Sequence, residues 1–410
     1  MSSKTKAIAT KEDGQPARVP MLRFPEFRDS PAWKSGKVHV LVDTVTPPKK
    51  LSTSSYSSKG AFPIIDQSQN EICGWTDDHE ALIKKNLPLI VFGDHTCILK
   101  LVDRPFAQGA DGIKILRSRP EADTSYLYQY LSYQPVVTEE YKRHYSILKE
   151  KVVFFPDSET REQQKIADCL GSVDALIAAQ ARKVNALKTH KKGLMQQLFP
   201  REGETQSRLR FPEFRDAPEW MEKNLEAICK IQRGKFSHRP RNDPRFFGGK
   251  YPFIQTGDVV KSNGGSVQAS QTLNEQGLSV SKLFKPPIVL ITIAANIGDT
   301  GLLDREACFT DSVAGLIPKQ GVSPVFLELA VRGKKDYLNK IAPAAAQKNI
   351  NNEILSVLPI LLPEFEEQER IAACFTSLDD LITAQTHKLQ TLKTHKRGLM
   401  QQFFPYPAKE

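Results

Sequence analysis

EQQKIADCLGSVDALIAAQARKVNALKTHKKGLMQQLFP (residues 162–200) returns as EQERIAACFTSLDDLITAQTHKLQTLKTHKRGLMQQFFP (residues 367–405), and this repeated stretch decides the fold. Aligned without a gap, the two copies are identical at 24 of 39 positions. Their apolar residues recur with alternating steps of four and three, which places one narrow stripe along a helix. Each copy is therefore predicted to form a long helix that buries its stripe against a partner helix.

The charge distribution predicts that these two helices pair with each other in antiparallel orientation. Each copy begins with acidic residues and ends with basic ones, so antiparallel pairing brings opposite charges together. The apolar stripe is interrupted in both copies by a glutamine, Gln180 or Gln385, and by a lysine, Lys191 or Lys396. Polar residues at matching positions favour one register of the pair, because few alternative registers satisfy them.

A second repeat shows that the chain is a tandem duplication. LRFPEFRDSPAW at residues 22–33 returns as LRFPEFRDAPEW at residues 209–220. This segment, called the strap below, is predicted to be extended and to fasten each globular region to the helices. Contact with a partner is the alternative interpretation. Variable regions follow each strap, at residues 34–160 and 221–365, and they share an order of predicted strands but little sequence.

The sequence therefore predicts an α/β fold. It consists of a tandem duplication of two globular α/β domains, separated by two long antiparallel coiled-coil helices. The expected order is a disordered leader at 1–20, a first domain with its strap at 21–160, a first helix at 161–200, a joint at 201–208, a second domain with its strap at 209–365, a second helix at 366–405 and a tail at 406–410.

Composition limits the classes of function. The 410 residues carry a formal net charge of +10, which suits a nucleic-acid partner but also occurs in many basic proteins. Six cysteines without a C-x-x-C pair, no apolar leader of signal-peptide type and no membrane-length apolar run predict a reduced, cytoplasmic protein. The sequence contains neither a phosphate-binding loop nor an amino-methyltransferase motif. No catalytic residue and no metal site are predicted.

Polar side chains suited to phosphate and base contacts collect in loops of both variable regions. Arginine and lysine bind phosphates or guanine edges, and asparagine and glutamine pair with adenine. The alternative for each loop is an ordinary solvated surface. The predicted DNA-binding residues are Gln67, Gln69, Asn70, His95, Thr96, Lys100, Lys142, Arg143, His144 and Tyr145 in the first region, and Arg233, Lys235, His238, Arg239, Arg241, Gln255, Thr256, Lys348, Asn349, Asn351 and Asn352 in the second.

Taken together, these features resemble the specificity subunit of type I restriction-modification enzymes. The resemblance rests on the duplicated FPEF strap, the EQ[QE][KR]IA helix starts, the KTHK[KR]GLMQQ[LF]FP helix ends and the phrases YPFIQTGD, IVFGDHT and KNINNEIL. One departure is PDSETREQQ before the first helix, where the second half has PEFEEQE.

The resemblance implies a non-catalytic chain whose two target recognition domains each read one half of an asymmetric, bipartite site in double-stranded DNA. It implies two methyltransferase subunits, which supply S-adenosylmethionine for adenine N6 methylation, and two restriction subunits, which use ATP and Mg²⁺; this chain binds no cofactor itself. The alternatives are a stand-alone DNA-binding regulator and a coiled-coil scaffold. The helix ends are expected to bind the partner subunits through Lys188, His190, Lys191, Met195, Gln196, Lys393, His395, Lys396, Met400 and Gln401.

Overall fold

The computed structural model describes residues 20–138, 143–201, 203–294, 296–342 and 349–405. The chain divides into two compact units, a first unit of residues 1–181 with 387–410 and a second unit of residues 182–386. The boundary falls inside each long helix, so each unit contains one globular domain, the adjoining half of one long helix and the opposite half of the other. The predicted leader and tail fall almost entirely outside the described residues.

The first unit is built on two four-stranded sheets. The antiparallel sheet has the order β2-β9-β6-β7, and the mixed sheet has the order β4-β3-β8-β5, in which only β3 and β8 are parallel. A short ribbon of β1 and β10 joins the strap to the end of the domain. The elements are β1 Lys34–Lys37, α1 Val38–Leu41, β2 Val42–Val45, β3 Phe62–Ile65, β4 Gly74–Thr76, β5 Leu82–Ile83, β6 Leu89–Gly93, β7 Leu99–Val102, β8 Phe106–Gln108, β9 Ile113–Ser118, α2 Thr124–Tyr133, α3 Tyr145–Glu150, β10 Val152–Phe155 and α4 Glu162–Leu198.

The second unit repeats this plan. Its sheets have the orders β12-β19-β16-β17 and β14-β13-β18-β15, and β11 pairs with β20. The elements are β11 Met221–Asn224, α5 Leu225–Ile228, β12 Cys229–Arg233, β13 Phe247–Ile254, α6 Thr256–Ser262, β14 Gln271–Leu273, α7 Glu275–Ser279, β15 Leu283–Phe284, β16 Ile288–Thr292, β17 Thr300–Leu303, β18 Ala307–Phe309, β19 Val313–Pro318, α8 Pro324–Gly333, α9 Lys335–Ile341, α10 Asn352–Ser356, β20 Pro359–Leu362 and α11 Phe365–Phe403.

The apolar stretches predicted as buried strands occupy matching places in the two units. LPLIVFGD forms β6 and PPIVLITIA forms β16, and both strands are buried along their whole length at an interior position of the antiparallel sheet. GAFPIID forms β3 and GKYPFIQ forms the end of β13. Each pairs in parallel with the strand that follows the next antiparallel hairpin, β8 after β6–β7 and β18 after β16–β17. The shared order predicted from sequence is therefore found in the fold.

Antiparallel packing of the long helices is seen inside each unit. In the first unit, Ile166 and Leu170 of α4 share a core with Met400 and Phe403 of α11. In the second unit, Leu198 of α4 shares a core with Ile371 and Phe375 of α11. The residue numbers on the two helices run in opposite senses, and the fold predicted from the repeated stretch is confirmed.

The two lysines that interrupt the apolar stripes form ion pairs across the helices. The Nζ atom of Lys396 lies 2.7 Å from a carboxylate oxygen of Asp174 in the first unit, and Lys191 donates to Asp379 in the second. The lysine side chains are only 15% and 14% exposed. An ammonium group so placed must keep a partner, so these pairs favour one register of the helices.

Each strap fastens its domain to the start of a long helix through an arginine whose side chain is only 8% exposed for Arg23 and 12% for Arg210. Arg23 donates from Nε and Nη2 to Glu162 at 2.8 and 2.7 Å, and Arg210 donates in the same way to Glu367 at 2.8 and 2.6 Å. Trp33 then packs edge-on against Tyr126 of the domain core. The structure supports the strap interpretation, with a single 3₁₀ turn where a fully extended segment was expected.

Among the described residues, no helix is both long enough and apolar enough to cross a membrane.

Candidate nucleic-acid interface

In the first unit, three loops meet beyond the ends of β3, β6 and β8. Thr96 donates from Oγ1 to the carbonyl of Gln67 at 2.8 Å, and Gln67 donates from Nε2 to the carbonyl of Asp111 at 3.5 Å. Gly112 has a φ of +91°, and a Cβ there would lie 2.6 Å from Gln67 Nε2, so a glycine permits this close approach. The predicted residues Gln67 and Thr96, far apart in sequence, are thus brought together.

The loop before α3 joins this cluster through Asp94. The backbone N–H of His144 donates to the Asp94 carbonyl at 2.8 Å, and the N–H of Tyr145 donates to its carboxylate at 2.8 Å. His144 is 1% exposed and therefore supports the loop from inside, so its predicted contact with DNA is corrected to a structural role. Arg143 is exposed beside it, and Lys142 lies outside the described residues.

Lys100 is a second correction. It is 8% exposed, and its ammonium group donates to the carbonyls of Asp66 and Asn70 at 2.8 and 2.5 Å. A buried ammonium group needs such partners, and these contacts hold the loop that carries the exposed Gln69 and Asn70. Lys100 was predicted to bind DNA, but it shapes the loop instead. His95, on the neighbouring loop, is half-buried.

In the second unit, the predicted basic residues gather around two carboxylates. Arg239 and Arg241 donate from Nη2 to Oδ2 of Asp311 at 3.2 and 2.7 Å, and Arg233 donates from Nε to the Asp311 carbonyl. The ring of His238 lies 3.2 Å from Asp243, and Arg245 also donates to that carboxylate. The exposed Lys235 belongs to the same loop.

Local charge stabilises the ionised form of Asp243. Hydrogen bonds from the Arg245 side chain and backbone hold the pKa of Asp243 far below its usual range, and His238 contributes further. The basic loop lies against the sheet at Gly234, where a Cβ would come 2.2 Å from the carbonyl of Thr310. A larger residue would push the loop away from the Asp311 turn.

The asparagine-rich loop of the second unit lies where residues 143–146 lie in the first. The N–H of Ile350 donates to the carbonyl of Ile293 at 2.8 Å, as His144 does to Asp94. Asn351 accepts from the N–H of Ile354 at 2.9 Å and caps α10, so its side-chain oxygen has a structural role. Asn349 and Asn352 are exposed, and Lys348 lies outside the described residues.

Gln255 and Thr256 stand at the beginning of α6. The backbone N–H of Gln255 donates to Asp258 at 2.9 Å, and its side-chain amide donates to Gln271 at 3.0 Å. Both residues are half-buried. The sequence predicted a base-reading loop here, and the structure shows a helix start instead, which restricts the side chain of Gln255.

Comparison with known proteins connects these surfaces to a family. A family model described as the type I restriction modification DNA specificity domain matches residues 218–394. A protein of Methanocaldococcus jannaschii, assigned as the specificity subunit of its MjaX type I restriction enzyme, is 26% identical over 243 residues, which are 58% of this chain and 55% of that protein. The chain thus spans about half the length of that relative. A type I specificity subunit of Escherichia coli is 23% identical over 83% of this chain and 84% of its own.

Residues 218–394 therefore match a type I specificity domain, and the chain is similar to type I restriction-modification specificity subunits. The fold agrees: the crystal structure of a type I S subunit from M. genitalium aligns with a TM-score of 0.64 at 16% identity, covering 95% of this chain and 100% of that one. A structure of a type I restriction-modification system, solved to describe complex assembly, gives 0.52 at 16% identity, covering 92% and 98%. The predicted resemblance is confirmed in sequence and in fold.

Two lysines beside the predicted contact residues of the first unit were not selected from sequence. Lys114 and Lys149 place their ammonium groups 5.6 and 5.7 Å from the ring centre of Tyr145, which forms a cationic and aromatic surface beside Arg143. Burial, together with the nearby Asp94 carboxylate, raises the pKa of Tyr145, so its hydroxyl stays protonated. In β9, Lys114 stands between the buried residues Ile113 and Ile115. This alternation of apolar and polar residues is the sequence pattern that could have identified Lys114 as an outward-facing residue.

The predicted partner surface divides into exposed and inward-facing residues. Met400 is 6% exposed within the first unit's core, and Met195 packs on the core of the second. Lys191 and Lys396 are engaged in the helix ion pairs, so their amines already have partners. Gln401 is half-buried. The exposed members are Lys188, His190, Gln196, Lys393 and His395.

Proposed function

We propose that this specificity subunit binds double-stranded DNA at a bipartite, asymmetric site, with one half read by each globular domain. The observation that carries the proposal is a common framework with different polar groups at matched positions. Arg143 lies in the loop before α3 and Tyr145 begins that helix, whereas Asn349 lies in the equivalent loop before α10 and Asn352 begins that helix. Arginine suits phosphates and guanine, whereas asparagine suits adenine, so the two domains are suited to different half-sites.

In this proposal the chain guides catalytic partners and performs no chemistry itself. Two methyltransferase subunits bring S-adenosylmethionine and methylate adenine at N6, and two restriction subunits use ATP and Mg²⁺; the complex works on DNA in the cytoplasm. The proposed partner surface consists of exposed residues on the two long helices: Lys188, His190 and Gln196 of α4, and Lys393 and His395 of α11. Support comes from the fact that the two repeats carry the same residue types at these positions. Packing of the buried apolar stripe does not explain this identity, because the side chains are exposed.

The test is methylation mapping by single-molecule sequencing of a host with and without this chain, in the presence of its methyltransferase. We expect modified adenines in two half-sites at a constant spacing, and we expect all of them to disappear without the chain. A stand-alone regulator would bind specific DNA without any methylation that depends on this chain. A scaffold would bind no specific DNA even when the methyltransferase is present.

A domain exchange tests whether each globular domain reads one half-site. Residues 34–160 are replaced by the corresponding region of another specificity subunit, and the straps and both long helices are kept. The methylated sequence should change in one half-site only. A change in both halves would contradict the assignment of one half to each domain, and a reciprocal exchange of residues 221–365 is the matched control.

A further inference from the structure

A single carboxylate organises the basic loop of the second unit. Asp311 stands in the turn between β18 and β19, and it receives Arg239 and Arg241 on its side chain and Arg233 on its carbonyl. The side chain of Asp311 is 27% exposed, whereas those of Arg239 and Arg241 are 53% and 48% exposed. The carboxylate is therefore partly covered by guanidinium groups that face solvent.

The charge balance of this cluster leaves it cationic. One carboxylate stands among three guanidinium groups, so two positive charges remain without a compensating one in the cluster. Each guanidinium has five N–H donors in a planar fork, and Arg241 uses one of them on Asp311. A guanidinium held by one edge keeps its remaining donors in a fixed direction, whereas an unanchored side chain would lose rotamer freedom on binding.

In the first unit, a carboxylate at the equivalent turn binds a single basic side chain. Asp111 stands in the turn between β8 and β9, and Lys50 donates to it at 2.7 Å. Both Lys50 and the three arginines come from the segment at the end of, or following, the first strand of the antiparallel sheet. The side chains of Lys50 and Asp111 are 54% and 86% exposed. In both domains, therefore, a carboxylate at this turn holds a basic side chain.

We propose that Asp311 is a positioning residue for DNA recognition by the second domain. It holds Arg233, Arg239 and Arg241 in the orientation that meets DNA phosphates or guanine edges, and Asp111 does the same for Lys50 in the first domain. This inference rests on the proposed function. The Asp311 carboxylate carries a negative charge that repels DNA, but by holding the three arginines in place it increases discrimination between sequences.

The test is the Asp311→Asn substitution in the full chain assembled with its methyltransferase. Binding is measured over a range of salt concentrations, to the mapped site, to sites with one base pair changed in either half and to unrelated DNA. Releasing an arginine should raise affinity for unrelated DNA and steepen the log–log salt slope by roughly one. Discrimination in the second half-site should fall about ten-fold, and discrimination in the first half-site should be unchanged.

Three variants serve as controls. Asp111→Asn should alter discrimination in the first half-site only. Asp304→Asn removes another carboxylate of the second domain, one that binds Ser266 and Arg305, and should leave discrimination intact. Arg241→Gln tests the cluster from the other side: affinity for unrelated DNA should fall and the salt slope should become shallower.

The outcomes separate the inference from the proposed function. If wild-type complex shows no preference for the mapped site, the proposed function itself fails. If wild type discriminates and both Asp311→Asn and Arg241→Gln bind as wild type does, the inference alone is overturned. If Asp311→Asn lowers the melting temperature and weakens specific and unrelated DNA alike, Asp311 is only structural, and the inference is also overturned.

Discussion

The strap of the second unit provides the sharpest test of how this fold is held together. Arg210 makes four hydrogen bonds: two to the Glu367 carboxylate, one to the carbonyl of Ala217 at 2.7 Å and one to that of Pro218 at 2.9 Å. Glu367 is 1% exposed, and its carboxylate holds the pKa of Arg210 above its usual range. Replacing Arg210 with methionine leaves a buried charge without its partner.

The expected cost follows from this burial. Removing one member of a buried ion pair destabilises a protein by about 3–5 kcal/mol. The double variant Arg210→Met/Glu367→Met removes both charges, so it should lose only the contacts to the two carbonyls, about 1–2 kcal/mol. The double variant should therefore be roughly 2–3 kcal/mol more stable than the single variant Arg210→Met, and adding the single variant Glu367→Met completes the cycle that measures the coupling between the strap and α11. Arg23 and Glu162 should behave in the same way in the first unit.

Hydrogen exchange of the second unit and urea unfolding of the whole chain would measure these changes. The matched control is Arg370→Met, because Arg370 and Glu213 form a pair of similar length, 2.9 Å, whose side chains are 48% and 47% exposed. That change should cost at most about 1 kcal/mol. The reasoning would be refuted if Arg210→Met cost no more than Arg370→Met, or if the double variant were as unstable as the single one.

Three further predictions concern polar residues inside the units. Lys396→Met should destabilise the first unit by about 1 kcal/mol, because its partner Asp174 is 38% exposed and therefore partly screened by solvent. The charge exchange Lys396→Asp/Asp174→Lys should restore part of this stability, as measured by thermal unfolding. Burial raises the pKa of Glu328 above its usual value of 4.5. The stability that its protonated form contributes is therefore present below the unfolded pKa and is lost as pH rises through the folded pKa. Glu328→Gln should remove this pH dependence, and the same dependence of unfolding free energy on pH in both proteins would contradict the prediction. Lys100→Met should cost about 1–3 kcal/mol by removing the ammonium group that binds the carbonyls of Asp66 and Asn70. Methylation mapping should then show weaker discrimination in the first half-site only.

Several parts of the fold could be predicted because their information is local and repeated. The long helices follow from apolar spacing, their direction of pairing follows from charge at the helix ends, and the strands β6 and β16 follow from short apolar runs. The candidate surfaces were predicted less well. Lys100, His144 and Asn351 looked like contact residues, because polarity in a loop does not reveal whether a side chain faces outward.

By itself, the sequence determined the duplication, the antiparallel helix pair and the loops in which polar groups collect. Periodic patterns carry this information because a helix or strand buries one face whatever lies beyond it. Only the tertiary structure decided which polar groups are used up inside the protein and which remain exposed. Asp311 and Arg241 are 70 positions apart, and their pairing depends on strands that bring the two segments together. A buried polar group must find a partner, and that partner is chosen by the fold.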